Sequence, residues 1–263
     1  MTHPLLEIEH LNVAFKQYTR FFKQETQVIL QDISLTLYAG EILAIFGASG
    51  SGKSLLAHAC LGLLPENAIV EGDIRYTIQS QIYDSPDKLR GKEISFVPQT
   101  IQSLNPLQKI KDQLDIPVNK DSHQLRKFVQ DLENFGLDAS VLNQYPGQLS
   151  GGMARKVLVA MSLMNHPHII IADEPTPGMD SVGLDYIVRR VKEERNKGVG
   201  AMMITHDIQT ALRVADRIAI FHQGQVIEMA YPYQFSGKGD QLHHPYSRAL
   251  WMALPENGFC DIK

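Results

Sequence analysis

The residues best equipped for chemistry form one uninterrupted run, Gly47-Ala48-Ser49-Gly50-Ser51-Gly52-Lys53-Ser54, which fits G-x-x-x-x-G-K-[ST] at every fixed position. Its glycines let the backbone curl until successive N–H groups point inward around a phosphate chain. Lys53 stands where an ammonium reaches β- and γ-phosphates, and the Ser54 hydroxyl suits Mg²⁺. The run lies between the apolar Ile42–Phe46, which predicts a strand buried on both faces, and an apolar-rich helix from Lys53 to just before Pro65. The N-terminus of that helix, with Leu55 in its first turn, adds the positive end of a dipole to the phosphate site. Such a loop implies a bound nucleoside triphosphate and no particular reaction, because kinases, GTPases, helicases and transport ATPases share it.

The elements that must position this loop are legible along the chain. Leu6–Phe15 is mostly apolar and Asp32–Leu37 alternates with period two, so both predict strands. Ile74–Ile78 and Ile94–Val97 predict two more. From Ser103 to about Gln148 the pattern turns polar and helical, with Leu125, Phe128, Val129 and Leu132 at helical spacing. Strand and helix then alternate through His168–Ala172, Gly183–Asn196, Ala201–Thr205, Asp207–Val214 and Arg217–His222. This predicts a mostly parallel sheet with helices on both faces.

The 263 residues suit one large α/β domain with an embedded subdomain, and 44% hydrophobic with 21% charged residues is ordinary globular material. A net charge of −4 supplies no electrostatic case for a nucleic-acid partner. The two cysteines, Cys60 and Cys260, lack metal-ligand spacing and read as reduced thiols, Cys60 buried. No basic segment followed by an apolar run opens the chain, and no stretch approaches the ~20 apolar residues of a spanning helix. Any membrane role is therefore expected to come through a partner.

Further motifs follow the loop in a fixed order, and together they resemble the ATP-binding cassettes of ABC transporters over nearly the whole chain. Leu149-Ser150-Gly151-Gly152-Met153 resembles the ABC signature, placed before a helix running to about Asn165. A hydroxyl, glycine N–H groups and a helix dipole there suit an anionic phosphate, and the resemblance implies that this phosphate belongs to the ATP of an opposite subunit. His168-Ile169-Ile170-Ile171-Ala172-Asp173-Glu174 resembles a Walker B strand. It implies Asp173 as a Mg²⁺ holder and Glu174 as the general base that polarises water. His206, in Thr205-His206-Asp207, resembles the switch histidine at the γ-phosphate. Gln99, in Phe96-Val97-Pro98-Gln99, resembles the glutamine that touches Mg²⁺ or the attacking water. Asp180 resembles the D-loop aspartate at a dimer interface, although Pro177-Gly178-Met179 departs from the commoner wording before it. For adenine stacking the candidates are Phe15 first and Tyr18 second.

The resemblance implies a P-loop NTPase (RecA-like) α/β core with a mostly parallel sheet, an antiparallel β-subdomain near the N-terminus and an inserted α-helical subdomain. The expected division of a single domain, 1–263, puts the core with its β-subdomain in 1–100 and 157–240. The helical signature subdomain then takes 101–156, and a short extension 241–263. Ser103-Leu104-Asn105-Pro106 and His244-Pro245-Tyr246-Ser247-Arg248-Ala249-Leu250 resemble elements of the oligopeptide, dipeptide and nickel importer branch. Cys260 alone cannot supply a four-cysteine iron–sulfur cluster, and shorter cassettes of this kind resemble those of nickel or metallophore importers, which tilts the expected solute toward a metal. ATP and Mg²⁺ are the implied cofactors. The implied partners are a second cassette, a sister chain before a second copy, two membrane permeases and an extracytoplasmic solute-binding protein, with no nucleic acid. The implied location is the cytoplasmic face of the membrane. A soluble ABC ATPase acting on DNA or ribosomes would be expected to carry tandem cassettes, coiled-coil insertions or zinc-binding cysteines, and an exporter would not need the two branch elements.

Overall fold

The computed structural model describes residues 3–18, 24–114 and 123–254. Cys260, and the side chain of Tyr18, lie outside the described residues.

Two sheets build the molecule. Strands β1 (Pro4–Tyr18), β2 (Gln24–Tyr38), β4 (Ala68–Ile78) and β5 (Gln81–Tyr83) form an antiparallel sheet in the order β2-β1-β4-β5. Along β1 Leu6 and Ile8 are buried, then Leu11 and Val13, so the alternation changes phase between the two pairs; Leu5 and Ala14 are buried beside them. A bulge at His10 (φ 52°) makes the change, and a matching bulge at Asp32 (φ 50°) does the same for Leu30 against Ile33 and Leu35 on β2. The two bulged residues meet, His10 Nδ1 lying 2.7 Å from Asp32 Oδ1.

Strand β3 (Ile42–Gly47) sits inside the second sheet with β6 (Ile94–Val97), β7 (Ile169–Asp173), β8 (Gly200–Thr205), β9 (Arg217–His222) and β10 (Gln225–Ala230). The order is β10-β9-β3-β8-β7-β6, all parallel except β10, which returns antiparallel along β9. The sheet is apolar on both faces because each face is covered. Leu43 and Ile45 pack with α1 (Lys53–Cys60) and the antiparallel sheet. Ile42, Ile170, Ala172 and Met203 face α3 (Gly151–Ser162) and α4 (Ser181–Asn196). Ala44, Phe46 and Ile220 face α5 (Ile208–Val214) and α6 (Pro245–Met252).

Helix α1 stops at Cys60, short of the expected end before Pro65. Gly62 is left-handed (φ 59°) and the Arg90 guanidinium takes the Leu61 and Gly62 carbonyls, which closes the helix there. Burial pushes the Cys60 thiol up to about 12, so it stays protonated. Between β6 and α3 the chain makes α2 (His123–Asn134) and short 3₁₀ turns. Helix α3 runs unbroken across 156/157, the expected edge of the insert. Leu104, Phe128, Leu132 and Phe135 of the insert share one apolar core with Ile170 and Met203 of the sheet. Among the described residues no helix is long and apolar enough to cross a membrane.

Candidate functional site

The loop after β3 is shaped by residues that tolerate what its path demands. Gly50 (φ 77°) and Gly52 (φ 105°) are left-handed, and Gly52 caps α1. A Cβ on Gly47 would collide with the Phe221 carbonyl of β9, and one on Gly52 would stand 2.9 Å from Leu30 Cδ2. Lys53 is buried at the loop's centre, its Nζ donating to the carbonyls of Gly47 (2.8 Å) and Ala48 (2.7 Å) and lying 3.5 Å from Ser51 Oγ. Burial pulls the Lys53 ammonium below its usual range, and the carboxylates of Glu174 and Asp173 oppose that pull.

Those carboxylates end β7, in register beside β8. Asp173 is 2% exposed; burial raises its pKa, a hydrogen bond from the Ser54 side chain works the other way, and its Oδ1 has no hydrogen-bond partner. Glu174 follows in the left-handed region (φ 47°), a conformation that costs a non-glycine residue about 1–3 kcal/mol and persists where surroundings enforce it. Its N–H donates to the Ile204 carbonyl (2.9 Å), tying the strained residue to β8. Its Oε1 lies 2.7 Å from His206 Nδ1, while Oε2 is buried without a partner.

A cleft of about 440 Å³ opens over these groups. Ser49, Gly50, Gly52, Lys53, Ser54 and Leu55 line it together with Gln99, Glu174 and His206. Chain segments far apart in sequence thus converge at the carboxyl ends of adjacent parallel strands, where open α/β sheets place their ligands.

Other expected site residues stand elsewhere. Ser150 caps α3, its Oγ accepting from the Met153 N–H (3.3 Å), and neither it nor Gly151 or Gly152 lines the cleft of its own chain. Gly152 is pressed on the segment before α4, since a Cβ there would be 2.7 Å from the Gly178 carbonyl. Asp180 caps α4 by accepting from the Gly183 N–H (2.8 Å) and pairs with Lys156 Nζ (2.8 Å), which holds its carboxyl below the usual range. Phe15 is half-buried against the antiparallel sheet's core and does not line the cleft.

Two contributors carry no sequence motif. Gly224, in the β9–β10 turn, donates its N–H to the Ser51 carbonyl (2.9 Å) and accepts from the Gln31 N–H (2.9 Å), which fastens the phosphate loop to β2. Arg155 of α3 donates to the backbone carbonyls of Pro98 (2.6 Å) and Gln99. For the first, the sequence offers only a glycine after an apolar run, the residue type a tight turn favours; Gln223 and Gly224 both take positive φ there.

Residues 30–177 match the family model described as ABC transporter. The oligopeptide transport ATP-binding protein OppD of Lactococcus lactis subsp. cremoris (strain SK11) is 36% identical over 95% of this chain and 76% of its own length. YejF of Escherichia coli (strain K12), an uncharacterized ABC transporter ATP-binding protein, is 33% identical over 97% of this chain and 49% of its own. The glutathione import ATP-binding protein GsiA of the same strain is 31% identical over 97% and 42%. Among solved structures, the dimeric ATP-binding cassette MJ0796 in a post-hydrolysis state with ADP and Pi superimposes with a TM-score of 0.72. It is 28% identical over 87% of this chain and 99% of that one.

Proposed function

The chain belongs to the ABC transporter family, and on that premise we propose how its residues divide the work of ATP-driven import. It is an ATP-hydrolysing subunit of an ABC importer that works as one of a pair of cassettes with membrane permeases. The observation that carries the assignment of roles is the convergence of Lys53, Ser54, Gln99, Glu174 and His206 on one cleft.

Lys53 gives up the Gly47 and Ala48 carbonyls for phosphate oxygens, and the inward N–H groups of the loop take the rest of the phosphate charge. The unpartnered Asp173 Oδ1 beside the Ser54 hydroxyl fits a hard divalent cation, so Ser54 and Asp173 would hold Mg²⁺. Mg²⁺ bound there supplies charge neutralisation on the phosphates. Glu174 is the general base: its Oε2 is buried and unpaired, free to accept a proton from water, while His206 holds Oε1 in place. His206, through its second ring nitrogen, and Gln99 complete the rim around the γ-phosphate and the water.

Ser150, Gly151 and Gly152 stand away from their own chain's cleft, which supports their presentation to the nucleotide of a second cassette. We assign that cassette to a sister chain, Asp180 to the interface between the two, and the complex to the cytoplasmic face of a membrane with an extracytoplasmic solute-binding protein. For adenine we keep Phe15 of β1, paired with Gln27 and Ala68, as the stacking candidate.

The solute we propose is a di- or oligopeptide. The names of the OppD and GsiA relatives support it, together with the Ser103–Pro106 and His244–Leu250 elements, whereas the expected tilt toward a metal gains no support from those relatives. The test is uptake of a labelled dipeptide and of labelled Ni²⁺ by cells lacking the gene, complemented with wild type or Glu174→Gln. Wild type should restore dipeptide uptake and Glu174→Gln should not, the purified variant retaining ATP while turnover falls about 10²–10⁴-fold. Selective loss of Ni²⁺ uptake would overturn the peptide assignment, and normal hydrolysis by Glu174→Gln would overturn the base.

A further inference from the structure

Arg155 is a buried guanidinium whose hydrogen bonds go to backbone. It is 7% exposed, its two terminal nitrogens donate to the consecutive carbonyls of Pro98 and Gln99, and its Nε has no partner. Burying an arginine is costly unless its donors are taken up, and burial pulls this guanidinium down while the nearby Asp173 and Glu174 carboxylates oppose the pull. What the charge obtains is a two-point grip on one short stretch of chain. Pro98 already fixes its own φ, so a grip on the carbonyls at 98 and 99 sets the direction in which the Gln99 side chain leaves the backbone. Gln99 is exposed and lines the same cleft as Lys53 and Glu174, so its direction bears on catalysis.

We propose that Arg155 is a positioning residue that aims Gln99 into the nucleotide cleft, and so ties the first turns of the signature helix to the hydrolytic centre. Arg155 lies on α3 five residues after Ser150, its cap. A displacement of that helix end moves the fork, and the fork moves the backbone of Gln99. Hydrolysis in one cleft thereby responds to whether the same chain's signature is engaged. The inference rests on the role of Gln99 proposed above.

A double-mutant cycle on the full chain separates the two ideas. Steady-state MgATP turnover is measured for wild type, Arg155→Met, Gln99→Ala and the double variant, with thermal melts alongside. Misplacing a reacting group by about an ångström can cost up to a hundredfold. Arg155→Met is accordingly expected to lower kcat about ten- to a hundredfold, with KM for ATP nearly unchanged. In the Gln99→Ala background the same substitution should change kcat by less than about twofold, because no side chain is left to aim. Arg155→Lys, which keeps the charge and loses the fork, should fall between wild type and Arg155→Met, and it carries the cycle if Arg155→Met does not fold. An effect of equal size in both backgrounds, or none in either, refutes the positioning role and leaves Gln99 in place. A Gln99→Ala variant that turns over normally removes the proposed role of Gln99 and the inference with it.

Discussion

Removing one oxygen atom from Tyr186 tests how the helical insert is held to the sheet. The Tyr186 hydroxyl, on α4, donates to Asp131 Oδ1 on α2 at 2.5 Å, and the ring stacks edge-on against Phe135 with centroids 4.4 Å apart. Asp131 is 6% exposed, its Oδ2 has no partner, and Arg190 Nε lies 3.6 Å from its Oδ1. Arg190 is committed to Glu194, which also takes Lys197 Nζ at 3.0 Å. Burial and the Asp131 carboxylate push the phenol upward, so it remains a donor at every pH at which the protein is handled. Tyr186→Phe keeps the ring contact and deletes a hydrogen bond to a buried carboxylate, worth about 1.5–3 kcal/mol. Taking about 2 kcal/mol, and about 2–4 °C per kcal/mol for a chain of this size, the melting temperature should fall by about 4–8 °C. Urea unfolding would give the same loss as a shift in midpoint at constant slope. Tyr233→Phe is the control: that ring is 69% exposed, and its variant should melt as wild type does. A loss below about 0.5 kcal/mol in Tyr186→Phe would mean that Asp131 is satisfied without the phenol, and that the apolar seam alone joins α2 to α4.

Two further outcomes follow from contacts outside the motifs. Gly224→Ala forces a Cβ into the Ile29 carbonyl at φ 77° and should cost about 2–4 kcal/mol. Because the Gly224 N–H holds Ser51, the KM for ATP should rise as well, and an unchanged KM in a destabilised variant would uncouple this turn from the loop. Glu228 is buried on β10; burial opposes its ionisation, yet the Ser247 hydroxyl and the backbone N–H groups of His243 and His244 hold the carboxyl below its ordinary 4.5. The stability it contributes is present above that value and lost as pH falls through the lowered one. Glu228→Gln should therefore be less stable than wild type by about 1–2 kcal/mol at pH 7, with the gap closing as the carboxyl is protonated on the acid side of 4.5 in melts across pH. A gap that does not change with pH would sink that account of the C-terminal anchor.

The parts of this fold that could be read ahead are those in which a short stretch of chain carries its own instruction. Ile42–Gly47 is apolar at every position because both faces of β3 are covered, and Gly50 and Gly52 announce a backbone no other residue enters cheaply. Strands β6 to β9 are legible for the same reason, and so is the delivery of Asp173 and Glu174 at the end of β7. What escaped notice depends on backbone atoms of distant segments, which every residue possesses and no residue type advertises. Arg155 reads as one more cation on an amphipathic helix until the Pro98 and Gln99 carbonyls are brought to it. The return strand β10 was hidden by its mixed polarity: Gln225, Glu228 and Met229 face different surroundings, and Glu228 is buried only because the His243–Ser247 segment folds back over it. The strained Glu174 belongs to the same class, since its left-handed φ is imposed by the bond to Ile204 and not by its type. Local pattern thus specifies where reacting groups emerge from the sheet. Long-range backbone contacts specify how rigidly they are aimed, and for Ser150 to Gly152 even a complete account of one chain leaves the aim outside its own cleft. If the signature of one cassette meets the nucleotide of another, as proposed, the Arg155 fork is the path by which that approach reaches Gln99.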